Sequence, residues 1–229
     1  MPLTKSVGNM YSWVTHTHTH LGGECPHECS YCYVGKSRYG IIPRYEGKIR
    51  LIEKEFKVNY GSSKTIFMEH MNDAFADGVP EHYINRIIGH CKLYPDNTYV
   101  FQSKNPAKFT DWRFPSKVIL GTTIETNREI KISKAPHPLD RFKAMSEIKF
   151  QYPNYRIFIT IEPIMEFDLK EMIDNLIEVH PDFINIGADS KKCGLLEPTK
   201  TEVQSLIRSI QEAGLNIKIK NNLNRFLEK

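Results

Sequence analysis

One feature constrains the fold of this chain more than any other. Short apolar runs alternate with amphipathic helical segments from one end to the other. The runs are 11–16 YSWVTH, 65–69 TIFME, 98–103 TYVFQS, 117–124 KVILGTTI, 156–162 RIFITIE, 183–187 FINIG and 215–219 LNIKI. Several are nearly continuous in Ile, Val, Phe and Tyr, as suits strands covered on both faces of a parallel sheet. Between them, PEHYINRIIGHCKLYP opens on Pro80 and stops before Pro95, the positions proline favours around a helix. HPLDRFKAMSEIKFQYP places Leu139, Phe142, Met145 and Ile148 at helical spacing. FDLKEMIDNLIEVHP reads as a helix capped by Asp168 that buries Leu169, Met172, Ile173, Leu176 and Ile177. PTKTEVQSLIRSIQEAG follows a Thr199 or Thr201 cap and ends at Gly214. Repeated strand–helix alternation predicts a right-handed parallel α/β fold. Six or seven units are too few for a closed eight-fold barrel, so the expectation is a partial, open β/α barrel of about six strands. Its site should lie at the C-terminal strand ends.

With 229 residues, 40% hydrophobic and 25% charged, the chain suits one globular domain over 1–229. Met1-Pro2-Leu3-Thr4-Lys5 leads into no apolar stretch, and no run approaches the ~20 residues that span a bilayer. Five cysteines, three of them clustered, argue against a secreted disulfide framework. The expectation is a cytoplasmic protein with no membrane partner. A net charge of +4 permits an anionic substrate without requiring one.

Three cysteines crowd into ECPHECSYCYVG at Cys25, Cys29 and Cys32, spaced C-x-x-x-C-x-x-C. Structural zinc wants four protein ligands and catalytic zinc three plus water. A four-iron cubane normally takes four thiolates, so three leave one iron open to a ligand. This loop, with Tyr31 before the third cysteine, resembles the signature of radical S-adenosylmethionine (SAM) enzymes, and its place after a first strand is also that family's. CSYCYVG is similar to the spore-photoproduct-lyase-like and phage-type branches, as are MEHMNDAF, FQSKNPAKF, GTTIETN, ITIEPI and INIGADS. The resemblance implies a [4Fe–4S] cluster on Cys25, Cys29 and Cys32, SAM chelated at the fourth iron, an external electron donor, and reductive cleavage to a 5′-deoxyadenosyl radical that abstracts hydrogen. The alternative is a non-catalytic zinc- or iron–sulfur-binding protein. A nucleotide enzyme of the phosphate-loop type is disfavoured, since neither G-x-x-x-x-G-K-[ST] nor G-x-G-x-x-G is present.

The resemblance also directs attention to the strand ends. Tyr31 is expected beside the SAM adenine. The family's Gly-Gly-Glu-Pro segment, which holds the SAM amino group, is missing, and Glu69, Asn72 or Asp73 would replace it. For Asn72 and Asp73 the competing role is a helix cap. Ser103 and Lys104 follow a strand; Lys104 would pair with the SAM carboxylate or else lie in solvent. Glu125 is a candidate for the ribose hydroxyls, because a carboxylate accepts two hydrogen bonds. Glu162 ends a very apolar strand, where an unpaired carboxylate is costly, so it should face the pocket or be ion-paired to a neighbouring strand. Asn185 and Asp189 end the next strand. Cys193, in DSKKCGLLEP after Lys191 and Lys192, is a candidate catalytic hydrogen donor to a substrate radical, or else an exposed thiol. Cys91 reads as core.

Two further stretches complete the reading. In THTHTH an extended chain would put His16, His18 and His20 on one face, suited to a metal or to hydrogen-bonded histidines at a strand end; the second is preferred. Tyr33, Tyr39 and Tyr45 interleave with Lys36, Arg38 and Arg44, a mixture that meets phosphates and stacks on bases. A nucleic acid or nucleotide is therefore the candidate substrate.

Overall fold

A computed structural model describes residues 3–34 and 43–228. Among the described residues ten strands are present: β1 (Thr4–Lys5), β2 (His16–His18), β3 (Leu21–Gly22), β4 (Arg50–Leu51), β5 (Thr65–Met68), β6 (Thr98–Ser103), β7 (Val118–Thr123), β8 (Arg156–Ile161), β9 (Phe183–Ile186) and β10 (Ile217–Ile219). The helices are α1 (Glu81–Lys92), α2 (Pro138–Gln151), α3 (Leu169–Val179) and α4 (Lys200–Glu212). Eight strands form a mixed sheet ordered β1-β2-β5-β6-β7-β8-β9-β10, and β3 and β4 pair separately. The pairs β2–β5, β5–β6, β8–β9 and β9–β10 are parallel, whereas the edge strand β1 is antiparallel to β2.

Strand order thus follows chain order through the parallel part, as expected of successive right-handed crossovers. The sheet has eight strands rather than about six, because the seventh apolar run joins it as β10 and because of β1, a two-residue edge too short and polar to be seen in the sequence. The first expected run also starts late. Residues 11–14 make a turn closed by Val14 N–H on the Tyr11 carbonyl at 3.0 Å, with the Tyr11 and Trp13 rings stacked at 5.3 Å. Only His16–His18 pair as a strand.

By contact the chain divides into two compact units. One holds residues 1–119 and 132–135, the other 120–131 and 136–229. The core of the first is built on Ile66, Met68, Tyr99 and Phe101 from β5 and β6, with Ile84, Ile87 and Ile88 of α1. The core of the second is built on Ile157, Phe158, Ile159, Phe183 and Ile184. Phe142, Met145 and Ile148 of α2 join it as their spacing predicts. In β7, Gly121 lets the Phe158 ring pack close, since a Cβ there would lie 2.2 Å from a ring carbon. The stripe of α3 is narrower than expected: Met172, Leu176 and Val179 are buried, but Ile177 is 48% exposed. It lies five residues from Met172, well off a 3.6-residue stripe. Of the two α4 cap candidates the structure uses Thr199, in a capping box with Glu202.

Candidate functional site

In the first unit the chain passes from β2 through β3 into the cysteine loop. Gly23, at φ 86°, permits the entry turn, since a Cβ would lie 2.2 Å from the Lys48 carbonyl oxygen. The loop is two consecutive tight turns, Glu28 N–H to the Cys25 carbonyl at 3.2 Å and Cys32 N–H to the Cys29 carbonyl at 3.0 Å. The segment 132–134 ties it from outside: Ser30 N–H donates to the Ile132 carbonyl at 2.8 Å, and Lys134 N–H to the His27 carbonyl at 2.7 Å. All three thiols are half-buried and none is in a disulfide. Burial, then the nearby Asp73 charge, pushes the Cys25 thiol up to about 12. A bare thiol there stays protonated, whereas a coordinated metal ion draws the proton off. Three soft sulfur donors on one short loop fit an iron–sulfur centre.

Asp73 is the hub beneath this loop. His27 Nε2 meets its Oδ2 at 2.8 Å, and the Ser103 hydroxyl and Lys104 N–H donate to the same oxygen at 3.0 and 2.9 Å. Phe75 N–H donates to Oδ1 at 2.9 Å. Burial acts to raise the Asp73 pKa, but the hydrogen bond and charge of His27, with these backbone bonds, hold it below the ordinary carboxylate value. Glu69, 4% exposed, accepts from the backbone N–H groups of His20 and Leu21 and meets His20 Nδ1 at 2.7 Å. The Asn72 amide donates to the Gly23 carbonyl at 3.0 Å. Neither Asn72 nor Asp73 caps a helix; α1 begins at Glu81. Lys104 Nζ donates to the Tyr31 hydroxyl and lies 5.0 Å from the centre of that ring. The structure thus brings together Tyr31, Asp73, Ser103 and Lys104 with the loop. His27 was not anticipated as their link, although it sits inside the motif itself.

In the second unit, Glu125 follows β7, 1% exposed, and meets Arg141 Nη1 of α2 at 2.8 Å. Arg141 also donates to the Thr123 and Pro136 carbonyls. Glu162 follows β8 and takes Lys220 Nζ at 2.7 Å and the Asn222 amide at 2.9 Å. A Cβ on Gly187 would lie 2.6 Å from its Oε1, so glycine makes room for the carboxylate. Glu162 is ion-paired, though with a residue just past β10 and not with a strand beside β8. Neither Arg141 nor Lys220 carries a sequence signal for these roles, because each partner lies on a different element. Asn185, in β9, is buried and donates to the Thr160 hydroxyl at 3.3 Å. Asp189 accepts from the N–H groups of Lys191 and Cys193, closing a small turn in which Lys192 and Gly194 adopt positive φ. Cys193 is half-buried, and both lysines are exposed.

The remaining expectations divide. Cys91 is fully buried in α1, as core. His16 turns to Thr15 at the surface, while His18 and His20 are buried beside His90. Tyr33, Arg44 and Tyr45 are described, whereas Lys36, Arg38 and Tyr39 lie outside the described residues. Among the described residues no helix is long and apolar enough to cross a membrane.

No family model matches the chain, and no curated protein matches it by sequence. Its structure does have counterparts. A spore photoproduct lyase variant with bound AdoMet and dinucleoside spore photoproduct superposes with a TM-score of 0.65 at 11% identity, over 93% of this chain and 78% of that one. A second variant of the lyase gives 0.67 at 12%, over 94% and 79%. Streptococcus suis SuiB bound to its precursor peptide SuiA gives 0.60 at 10%, over 93% of this chain but only 50% of SuiB. At such identities the likeness is one of fold. The chain has the fold of spore photoproduct lyase and SuiB, a mixed α/β fold on a mostly parallel eight-stranded sheet.

Proposed function

We propose that this chain is a radical SAM enzyme in which Cys25, Cys29 and Cys32 each ligate one iron of a single [4Fe–4S] cluster and the fourth iron takes SAM. One observation carries the reading: a C-x-x-x-C-x-Tyr-C loop on a chain that shares its fold, over more than nine-tenths of its length, with spore photoproduct lyase. When bound and reduced by an external donor, the cluster supplies one-electron cleavage of SAM to methionine and a 5′-deoxyadenosyl radical that takes hydrogen from substrate.

The chain's own residues hold and shape the site. Asp73 positions the loop through His27 and joins it to the end of β6 through Ser103 and Lys104 N–H. Glu69 fixes the backbone of His20 and Leu21 on the approach to the cysteines. Of the three residues in the place of the missing Gly-Gly-Glu-Pro segment, Glu69 and Asp73 are buried and spent on the fold. Asn72 keeps partial exposure, and we assign it the amino end of SAM. Lys104, a point charge over the Tyr31 ring, suits the SAM carboxylate, with Tyr31 at the adenine. Glu125 and Glu162, held by Arg141 and Lys220, are the proposed partners of the ribose or substrate. Cys193 is the proposed hydrogen donor to the substrate radical. A nucleic acid or nucleotide is the proposed substrate, supported by the dinucleoside photoproduct of the structural counterpart and by Tyr33, Arg44 and Tyr45 after the loop.

Anaerobic reconstitution with iron and sulfide tests the core of this reading. We expect about four irons per chain, an absorbance near 400 nm, a spectral change on adding SAM, and 5′-deoxyadenosine after dithionite. Four irons without any response to SAM would favour the non-catalytic alternative. Zinc alone in the thiol loop would overturn the cluster.

A further inference from the structure

The first unit also contains three histidines that the reading above does not use. His18 of β2, His20 just beyond it, and His90 in the last turn of α1 each bring one ring nitrogen to a common point, where the three atoms lie within 4.8 Å of one another. The rings are 0–6% exposed. They come from segments about 70 residues apart in sequence, so only the packing of α1 on the sheet assembles them.

The hydrogen bonds around these rings do not close. His20 Nδ1 faces the Glu69 carboxylate at 2.7 Å, an acceptor, so that nitrogen carries the hydrogen. His90 Nε2 faces the Val58 carbonyl at 3.1 Å, again an acceptor, so that nitrogen carries the hydrogen too. What remains is His20 Nε2 against His90 Nδ1 at 2.8 Å, two lone pairs pointed at each other. The Tyr60 hydroxyl, 3.0 Å from His20 Nε2, can offer one hydrogen. His18 Nε2 is buried with no hydrogen-bond partner among the described residues. Converging lone pairs in a buried site call for a cation. A proton serves only the His20–His90 pair and leaves His18 out. A metal ion takes one nitrogen from each ring.

We propose that His18, His20 and His90 hold a zinc ion that staples β2 to α1 immediately before the cysteine loop. An all-imidazole donor set with no sulfur suits zinc, as does a closed, buried position. The outer partners are of the kind that orient metal-binding histidines: Glu69 on His20 Nδ1 and the Val58 carbonyl on His90 Nε2. The Tyr60 hydroxyl and the Glu55 carboxylate, the latter 4.0 Å from His18 Nε2, stand nearest as the fourth donor. Tetrahedral ligands at about 2.0–2.1 Å from zinc lie roughly 3.3 Å apart. The closest pair here opens slightly and the wider ones close, all by side-chain movement. The site is built from residues other than the loop thiols and stands whether or not those thiols hold a cluster.

The test uses the full chain with Cys25, Cys29 and Cys32 replaced by Ser, so that bound zinc reports the histidines alone. With zinc(II) as the probe, we expect one equivalent per chain, an X-ray absorption shell of nitrogen and oxygen near 2.0 Å with no sulfur, and a higher midpoint of thermal unfolding than with magnesium. Glu69→Gln should weaken zinc 10–100-fold in a chelator competition, and His90→Gln by more. Should the histidine variants fail to fold, the unmutated histidine set still decides the matter through its zinc-dependent unfolding midpoint. No zinc retained by the folded chain, a midpoint indifferent to zinc, or an affinity unchanged in folded His90→Gln and His18→Gln would each overturn the site.

Discussion

The cysteine loop and the histidine cluster belong to the same unit and are built in opposite ways. The loop gathers Cys25, Cys29 and Cys32 within eight residues, leaves all three half-buried, and holds its shape through backbone turns and the Asp73 hub. The cluster draws His18, His20 and His90 from distant segments, buries them almost completely, and orients them with Glu69 and the Val58 carbonyl. A half-exposed loop can give up a side chain with little harm to the fold while losing what it binds. A buried polar network cannot, because removing a member leaves the buried groups that it met unsatisfied. Chemistry that must reach a ligand belongs on the first kind of structure, and fixing the backbone that presents it belongs on the second.

The sharpest break in this comparison would come from Cys29→Ala. We expect loss of essentially all cluster absorbance after reconstitution, with unfolding free energy changed by no more than about 0.5 kcal/mol. Full iron content in this variant, or a chain that no longer folds, would break the contrast from the loop side. From the other side, His20→Ala strips the buried Glu69 carboxylate of a hydrogen-bond donor, and leaving such an acceptor short of its partner costs about 1–3 kcal/mol. Urea unfolding that finds less than about 1 kcal/mol would mean that the network is loose. Asp73→Asn sharpens the comparison, because Asp73 belongs to the loop yet is buried like the cluster. It should cost about 1–3 kcal/mol and lower iron occupancy as well, separating it from Cys29→Ala, which affects only the second.

The smallest effect lies in the second unit. Thr199→Ala removes a capping box at α4 and should cost about 1 kcal/mol at neutral pH. The hydrogen bonds from the Thr199 N–H, then its hydroxyl, hold the Glu202 carboxyl below its ordinary value of 4.5. A carboxyl so lowered stabilises the fold above that ordinary value, and the gain fades as pH falls through the folded value. The Thr199→Ala penalty should therefore shrink below about pH 4 in chemical unfolding, and a penalty that stays constant there would show that the bond from the Thr199 hydroxyl to the carboxylate takes no part.

What the sequence determined by itself was local. Apolar runs located β5 to β9 to within a residue or two, because strands covered on both faces must be apolar along their whole length. The 3.6-residue spacing located α2 and its buried face, and the cysteine spacing marked the thiol loop, since three residues on one short turn need no distant partner. Tertiary structure alone decided which charged group meets which. Glu125 with Arg141, Glu162 with Lys220 and Asp73 with His27 join different elements, and no periodicity within one element records the partner on another. The histidines show the divide most plainly. Alternation in THTHTH placed His16, His18 and His20 on one face, but His16 meets Thr15 at the surface, and His90 arrives from α1 to take the third position. A strand's own period says which side chains share a face. Only the packing of the next helix says whether that face meets water or another histidine.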